Sequence, residues 1–73
     1  MRALNDAESN ALIDEGLGLD VDDYSFLDGE EGFVVRRGRQ IAWEIDGELS
    51  AFEMDSEDEA KAKFQSLVNE RGA

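Results

Sequence analysis

The sequence predicts a small α+β domain: an N-terminal helix, a four-stranded antiparallel meander and a C-terminal amphipathic helix packed on the sheet. Three observations lead to this class. Helix-capping residues lie near each end of the chain, apolar residues alternate with polar or small ones in the middle, and turn-forming residues separate the alternating runs. Because no linker or repeat interrupts the 73 residues, we expect a single domain over residues 1–73.

The first helix is predicted at residues 6–15. Asn5 offers a capping side chain and Glu8 follows three positions later, which is the pattern of a capping box. Gly16 stands where a helix would end. Since the apolar face is thin, we expect contacts with the rest of the domain to hold this helix in place.

Three strands are predicted in the middle of the chain. The first two, residues 24–28 and 33–37, lie on either side of a segment rich in turn-forming residues at 29–32. The third, residues 40–45, has its large apolar residues at every second position, which indicates one buried face. Trp43 belongs to this alternating set, so we expect it in the core.

The register of the second and third strands depends on the loop between them. A three-residue loop at 37–39 would place Val35 opposite Ile41 and Phe33 opposite Trp43, so that four apolar side chains share one face. A two-residue loop would separate them. The sequence therefore favours the three-residue loop.

The fourth strand is predicted at residues 48–54, after a tight turn. Asp46-Gly47 is a favoured two-residue hairpin turn, because both positions require positive φ. It places Ile41 opposite Phe52.

The second helix is predicted at residues 56–70. Ser56 and Glu59 fit a capping box, and acids fill the first turn, where the helix dipole favours them. Phe64 and Leu67 mark the face that should pack on the sheet.

Composition argues against catalysis and against a metal cofactor. The chain has no His and no Cys, which removes the commonest general base, the commonest nucleophile and two common transition-metal ligands. Asp20, Asp22, Asp28 and Glu31 match positions 1, 3, 9 and 12 of a calcium loop. Tyr24 occupies position 5, where an oxygen ligand is required, so we expect neither an enzyme nor a specific metal site.

The acidic residues are unevenly distributed along the chain. The net charge is −12, and no Lys or Arg occurs between Ala3 and Val35, where ten acids lie. An ordered acidic face can occupy a basic groove built for nucleic acid, because carboxylates at alternate strand positions lie about 6.8 Å apart, close to the phosphate spacing of one strand. We predict the following partner-binding residues: Asp14, Glu15, Asp20, Asp22, Asp23, Asp28, Glu30 and Glu31.

Three of the seven cations, Arg36, Arg37 and Arg39, are clustered at one predicted hairpin tip. In the structural interpretation they neutralise the acidic first half of the chain or the C-terminus of a helix. In the functional interpretation they contact an acidic patch on a partner. Both remain open from the sequence.

The last part of the chain resembles a known class of inhibitors. The hairpin of residues 41–55, followed by Ser56-Glu57-Asp58-Glu59-Ala60 and an amphipathic helix, is similar to the small acidic α+β inhibitors encoded by bacteriophages, including anti-CRISPR proteins and other DNA mimics. The resemblance lies in size, acidity and order of elements. It implies a stoichiometric inhibitor that blocks the nucleic-acid site of a host defence complex in the host cytoplasm.

We therefore expect a soluble, non-enzymatic protein that binds a partner with a basic nucleic-acid-binding groove, and that binds neither nucleic acid nor a membrane itself. No cofactor is expected. One alternative is a small soluble domain, halophilic or not, whose carboxylates serve to hydrate its surface. Another is an adaptor subunit that binds its partner through the apolar face of the sheet. The oligomeric state, including a homodimer, stays open.

Overall fold

The computed structural model describes residues 1–17, 20–28 and 32–72, with Leu17 described by its backbone alone. Five antiparallel strands of this part of the chain form one sheet in the order β1-β5-β4-β3-β2. The α+β class is confirmed, with one strand more than predicted. The elements in chain order are β1 (Arg2–Ala3), α1 (Asp6–Leu17), β2 (Asp23–Phe26), β3 (Phe33–Arg37), β4 (Gln40–Ile45), β5 (Glu48–Glu53) and α2 (Glu57–Arg71).

The two helices cover opposite faces of the sheet. On one face α2 packs through Ala60 and Leu67 against a core that includes Val34 and Ile41. On the other face α1 packs through Leu12 against a second core that includes Val35 and Ala42. The sequence predicted the contact of the second helix with the sheet, and the structure adds a second covered face.

Capping side chains begin both helices as predicted. At α1, Asn5 Oδ1 accepts a hydrogen bond from the Glu8 backbone N–H at 2.8 Å, and Glu8 Oε1 accepts one from the Asn5 N–H at 3.2 Å. These two bonds form a complete capping box. At α2, Ser56 Oγ accepts from the Glu59 N–H at 3.1 Å.

Small residues bring α1 close to the sheet. Ser9, Leu12 and Gly16 are buried and recur at three- and four-residue spacing, so they share one face of the helix. A Cβ added at Gly16 would lie 3.0 Å from Val35 Cγ2. The thin apolar face seen in the sequence is therefore a close-packing face, with Leu12 as the one large fully buried side chain of residues 6–16.

The predicted register between β3 and β4 is wrong by one residue. The loop has two residues, Gly38 and Arg39, and Gly38 takes a positive φ of 60°. Val35 consequently lies opposite Ala42, and Val34 opposite Trp43. The prediction assumed one buried face, whereas helices on both faces let consecutive apolar residues of β3 point to opposite cores.

The hairpin of β4 and β5 matches its prediction. Asp46 and Gly47 have φ values of 53° and 82°, as a two-residue turn with both positions at positive φ requires. Ile41 lies opposite Phe52 and Trp43 opposite Ser50. Trp43 packs against the α2 core but is only partly buried.

The strand that the sequence did not predict is β1. Arg2 pairs with Glu53 and Ala3 with Phe52, so β1 covers one end of the edge of β5. Two residues are too few to produce a periodic pattern in the sequence.

Neither described helix has both the length and the apolar character that a membrane span requires.

Candidate protein-binding surface

Four arginines, Arg2, Arg36, Arg37 and Arg39, lie at one end of the sheet, which we call the arginine end. The strand register places Arg2, Glu53, Gln40 and Arg37 in one row across β1, β5, β4 and β3. Arg36 belongs to the next row, on the opposite face, and pairs across the strands with Asp23. The β3–β4 turn therefore concentrates positive charge at this end.

Arg36 is a buried part of the fold. The residue is 4% exposed, and both its Nε and its Nη2 lie 2.7 Å from Asp23 Oδ2. Its Nη1 donates to the Gly38 carbonyl at 2.8 Å and lies 3.6 Å from Asp22 Oδ2. Since Asp22 Oδ2 also accepts a hydrogen bond from the Gly38 N–H at 2.7 Å, these two aspartates fix the β3–β4 turn to β2.

The other arginines of this end also have carboxylate partners. Arg37 forms an ion pair with Glu15 of α1, and Arg39 lies 3.7 Å from Glu53. Arg36 and Arg37 thus neutralise acids of the first half of the chain, as the structural interpretation predicted. The Arg39 side chain remains half exposed.

Arg2 holds Glu8 at the start of α1. Its Nη1 and Nη2 donate to the two carboxylate oxygens of Glu8 at 3.0 and 2.9 Å. These bonds, with the one from the Asn5 N–H, lower the pKa of Glu8 to about 2. Glu8 therefore stays ionised and engaged within the molecule.

The structure divides the predicted partner-binding residues into three groups. Glu15, Asp22 and Asp23 have the internal partners described above. Asp14, Asp20 and Asp28 are exposed and form no ion pair with any residue that the structure describes. Glu30 and Glu31 lie outside the described residues.

Uncompensated carboxylates gather at the opposite end of the sheet. Asp28, Glu44, Asp46 and Glu48, which we call the acidic end, surround the exit of β2 and the β4–β5 turn. None forms an ion pair within the described part of the chain. At about 3.4 Å per residue, the length of β4 separates the two ends by about 17 Å.

Sequence reasoning found only Asp28 of this group. The other three acids lie outside the acidic segment between Ala3 and Val35, and Lys and Arg occur on both sides of them in sequence. The turn at 46–47 was nevertheless predicted, and a hairpin places residues on both sides of its turn together. The predicted pairing of the two strands of this hairpin, rather than the density of charge along the chain, was the signal that could have identified these three acids.

The α1 side of the domain is the more acidic side. Helix α1 contains four acids and no base, whereas α2 contains four acids together with Lys61, Lys63 and Arg71. Lys63 Nζ lies 5.0 Å from the centre of the Trp43 ring. Arg71 lines an open groove of about 440 Å³ with Trp43 and Glu48. The bases of α2 thus reduce the negative charge near the acidic end only on the face of the sheet that α2 covers.

The described carboxylates do not form a metal centre. No group of three or more acids within residues 1–17, 20–28 and 32–72 converges to hold an ion. Asp22, one of the calcium-pattern residues, is occupied by Arg36 and the Gly38 N–H.

Known proteins offer no match from which a function could be taken. No family model, no curated protein and no solved structure matches the chain. The similarity to phage inhibitors stays a prediction.

Proposed function

We propose that this is a non-enzymatic binding protein whose acidic end occupies a basic nucleic-acid-binding site on a partner protein. One observation carries the proposal: arginines neutralise the carboxylates at one end of the sheet, while Asp28, Glu44, Asp46 and Glu48 at the other end have no cationic partner among the described residues. The partner class is the one implied by the resemblance to phage-encoded DNA mimics, a nucleic-acid-binding complex of a host cell.

Two properties of the acidic end support this function. Three of its carboxylates, Glu44, Asp46 and Glu48, lie on the β4–β5 hairpin, whose paired backbone sets their relative positions before binding. The net charge of −12 also attracts a basic groove over a distance and raises the association rate.

The proposal changes which residues should matter. Asp22 and Asp23, predicted as contacts, are needed to pair with the buried Arg36. Asp28 remains in the set, and Glu44, Asp46 and Glu48 join it. Asp14 and Asp20 are exposed acids of the α1 side and can add to the long-range attraction.

The test is a neutralised variant of the acidic end. Asp28→Asn, Asp46→Asn and Glu48→Gln together remove three exposed charges without large changes in shape. Affinity for a partner captured from the native host at 0.1 M salt should fall more than tenfold, about 1.4 kcal/mol or more. Surface plasmon resonance would measure it, and labelled DNA or RNA should compete with the wild-type protein for the partner.

A control variant removes the same number of charges from α2: Asp58→Asn, Glu59→Gln and Glu70→Gln. Its affinity should stay within about threefold of wild type, since these residues lie on the helix that carries three bases. Simultaneous binding of nucleic acid and this protein to the partner would refute the proposal. Equal losses in the two triple variants would show that only net charge matters.

A second candidate function, solvation in high salt, is favoured by a different observation. Unpaired carboxylates occur on both helices, on the sheet and in the turns, which suits a surface hydrated on all sides. The described acids without an ion-pair partner are Asp6, Asp14, Asp20, Asp28, Glu44, Asp46, Glu48, Asp58, Glu59 and Glu70.

Salt dependence of folding separates the two functions. Raising salt from 0.1 M to 1 M shortens the Debye length from about 10 Å to about 3 Å and screens repulsion between carboxylates. A binding protein should already unfold cooperatively in urea at 0.1 M salt, as followed by circular dichroism. A chain that is largely unfolded in dilute buffer and folds only in molar salt would instead favour solvation.

A further inference from the structure

One row of the sheet on the α1 face is only partly covered, with two exposed and two partly buried side chains. Phe26, Phe33, Glu44 and Leu49 lie opposite one another across β2, β3, β4 and β5, and we call them the exposed row. Helix α1 packs on the core at Val35, two residues along β3 from Phe33, and Phe33 packs against the edge of that core. Phe26 is 67% exposed and Leu49 44% exposed, the two most exposed large apolar side chains after Met1 in the described part of the chain.

Aromatic contacts hold the two phenylalanines of this row. The Tyr24 ring meets the Phe26 ring edge-on at 5.5 Å between centres and stacks parallel to the Phe33 ring at 6.3 Å. A side chain held in this way loses little conformational entropy when a partner covers it. Adjacent strands are about 4.8 Å apart, so the row spans about 14 Å, enough for several residues of an extended segment.

The charge in and around the row decides what can cover it. Glu44 lies between Phe33 and Leu49, is partly buried, and has no cationic partner among the described residues. Asp46 and Glu48 of the acidic end adjoin it through the turn. A second copy of this chain would bring another charge of −12 against the row, so self-association is disfavoured by repulsion.

A guanidinium group satisfies every feature of this surface. It donates two hydrogen bonds to one carboxylate, and its planar face stacks on aromatic rings. An ammonium group pairs as a point charge and lacks the planar face. In an extended segment, apolar residues two positions before and after the arginine lie on the same face as the arginine and would cover Leu49 and Phe26.

We propose that the exposed row binds arginine side chains of a basic protein segment, with Glu44 pairing to the guanidinium and Phe26 and Leu49 packing against its apolar neighbours. This inference rests on the proposed function and names the chemistry of its partner. The acidic end supplies attraction, and the exposed row selects arginine with apolar residues beside it.

The test uses the full isotope-labelled chain and synthetic peptides at 0.1 M salt. A nonapeptide with leucine and arginine alternating at every second position and serine between them (Leu-Ser-Arg-Ser-Leu-Ser-Arg-Ser-Leu) presents both residue types on one face when extended. It should bind and shift the amide resonances of Phe26, Phe33, Glu44 and Leu49 most. A lysine–leucine peptide of equal length and charge should bind at least fivefold more weakly, and a glutamine–leucine peptide should not bind. Equal affinity for the lysine and arginine peptides would overturn the inference.

Two variants locate the site. Glu44→Gln keeps the shape of the side chain, and Phe26→Ser changes a ring that is 67% exposed. Each should lower affinity for the arginine peptide about tenfold while thermal unfolding stays close to that of wild type. Glu70→Gln, a loss of one carboxylate from α2, is the matched control and should change affinity less than twofold. Equal weakening by Glu44→Gln and Glu70→Gln, or a dimer of the free protein that Phe26→Ser dissociates, would overturn the inference.

The outcomes also separate this inference from the proposed function. If the arginine peptide binds at the exposed row but nucleic acid fails to compete for the partner, the inference stands and the proposed function fails. If nucleic acid competes and the row variants bind the partner as tightly as wild type, the proposed function stands and the inference fails.

Discussion

The double substitution Asp22→Asn and Asp23→Asn is expected to destabilise the domain by about 2 kcal/mol. Both carboxylates face Arg36, whose side chain is 5% exposed. Breaking a buried pair costs about 3 to 5 kcal/mol, and we discount this because the aspartate side chains are 53% and 41% exposed. Urea denaturation followed by circular dichroism would measure the difference.

The matched control is Asp46→Asn with Glu48→Gln, which removes two exposed charges from the acidic end. Its stability should equal or slightly exceed that of wild type, since unpaired carboxylates repel one another. If the Asp22 and Asp23 variant is as stable as this control, the contribution of Arg36 to the fold has been misjudged.

Leu12→Ala should cost about 2 to 5 kcal/mol, a large part of the stability of a domain of this size. Leu12 is fully buried and belongs, with Val35 and Ala42, to the core beneath α1. The truncated side chain would leave a cavity beside Val35 that the small residues Ser9 and Gly16 cannot fill. Thermal and urea unfolding would report the loss.

Leu49→Ala provides the comparison, because the same atoms are removed from a side chain that is 44% exposed. We expect a cost below about 1 kcal/mol. A Leu12→Ala variant no less stable than Leu49→Ala would mean that α1 does not depend on this contact.

Local signals in the sequence predicted most of the elements. Asn5 and Ser56 were recognised as caps, and the hairpin at residues 46–47 follows from turn chemistry alone. These features depend on a few neighbouring residues, so a single sequence contains the information. The two-residue strand β1 forms instead by pairing with β5, which is distant in the chain, so no local pattern could predict it.

Features that depend on tertiary contacts were not predicted. Val34 faces the α2 core and Val35 faces the α1 core, so their placement requires that both faces of the sheet be covered. The apolar face of α1 is so thin in the sequence that it did not indicate a second covered face. The sequence did not show that acids between Ala3 and Val35 are neutralised, because Arg36 and its partner Asp23 are thirteen residues apart in the chain. The acidic end was missed for the same reason, since only the strand order places Asp28 and Glu48 at the same end of the sheet.

The pairing of β1 with β5 affects the order in which a growing chain can fold. Strands β2 to β5 pair with consecutive neighbours, so their contacts are local and close small loops. Ala3, by contrast, pairs with Phe52, and the Leu4 N–H donates to the Ala51 carbonyl. During synthesis the N-terminus leaves the ribosome first, yet its strand cannot pair until residues 51–53 have followed. Strand β1 is therefore made well before its partner and stays unpaired until β5 has been made.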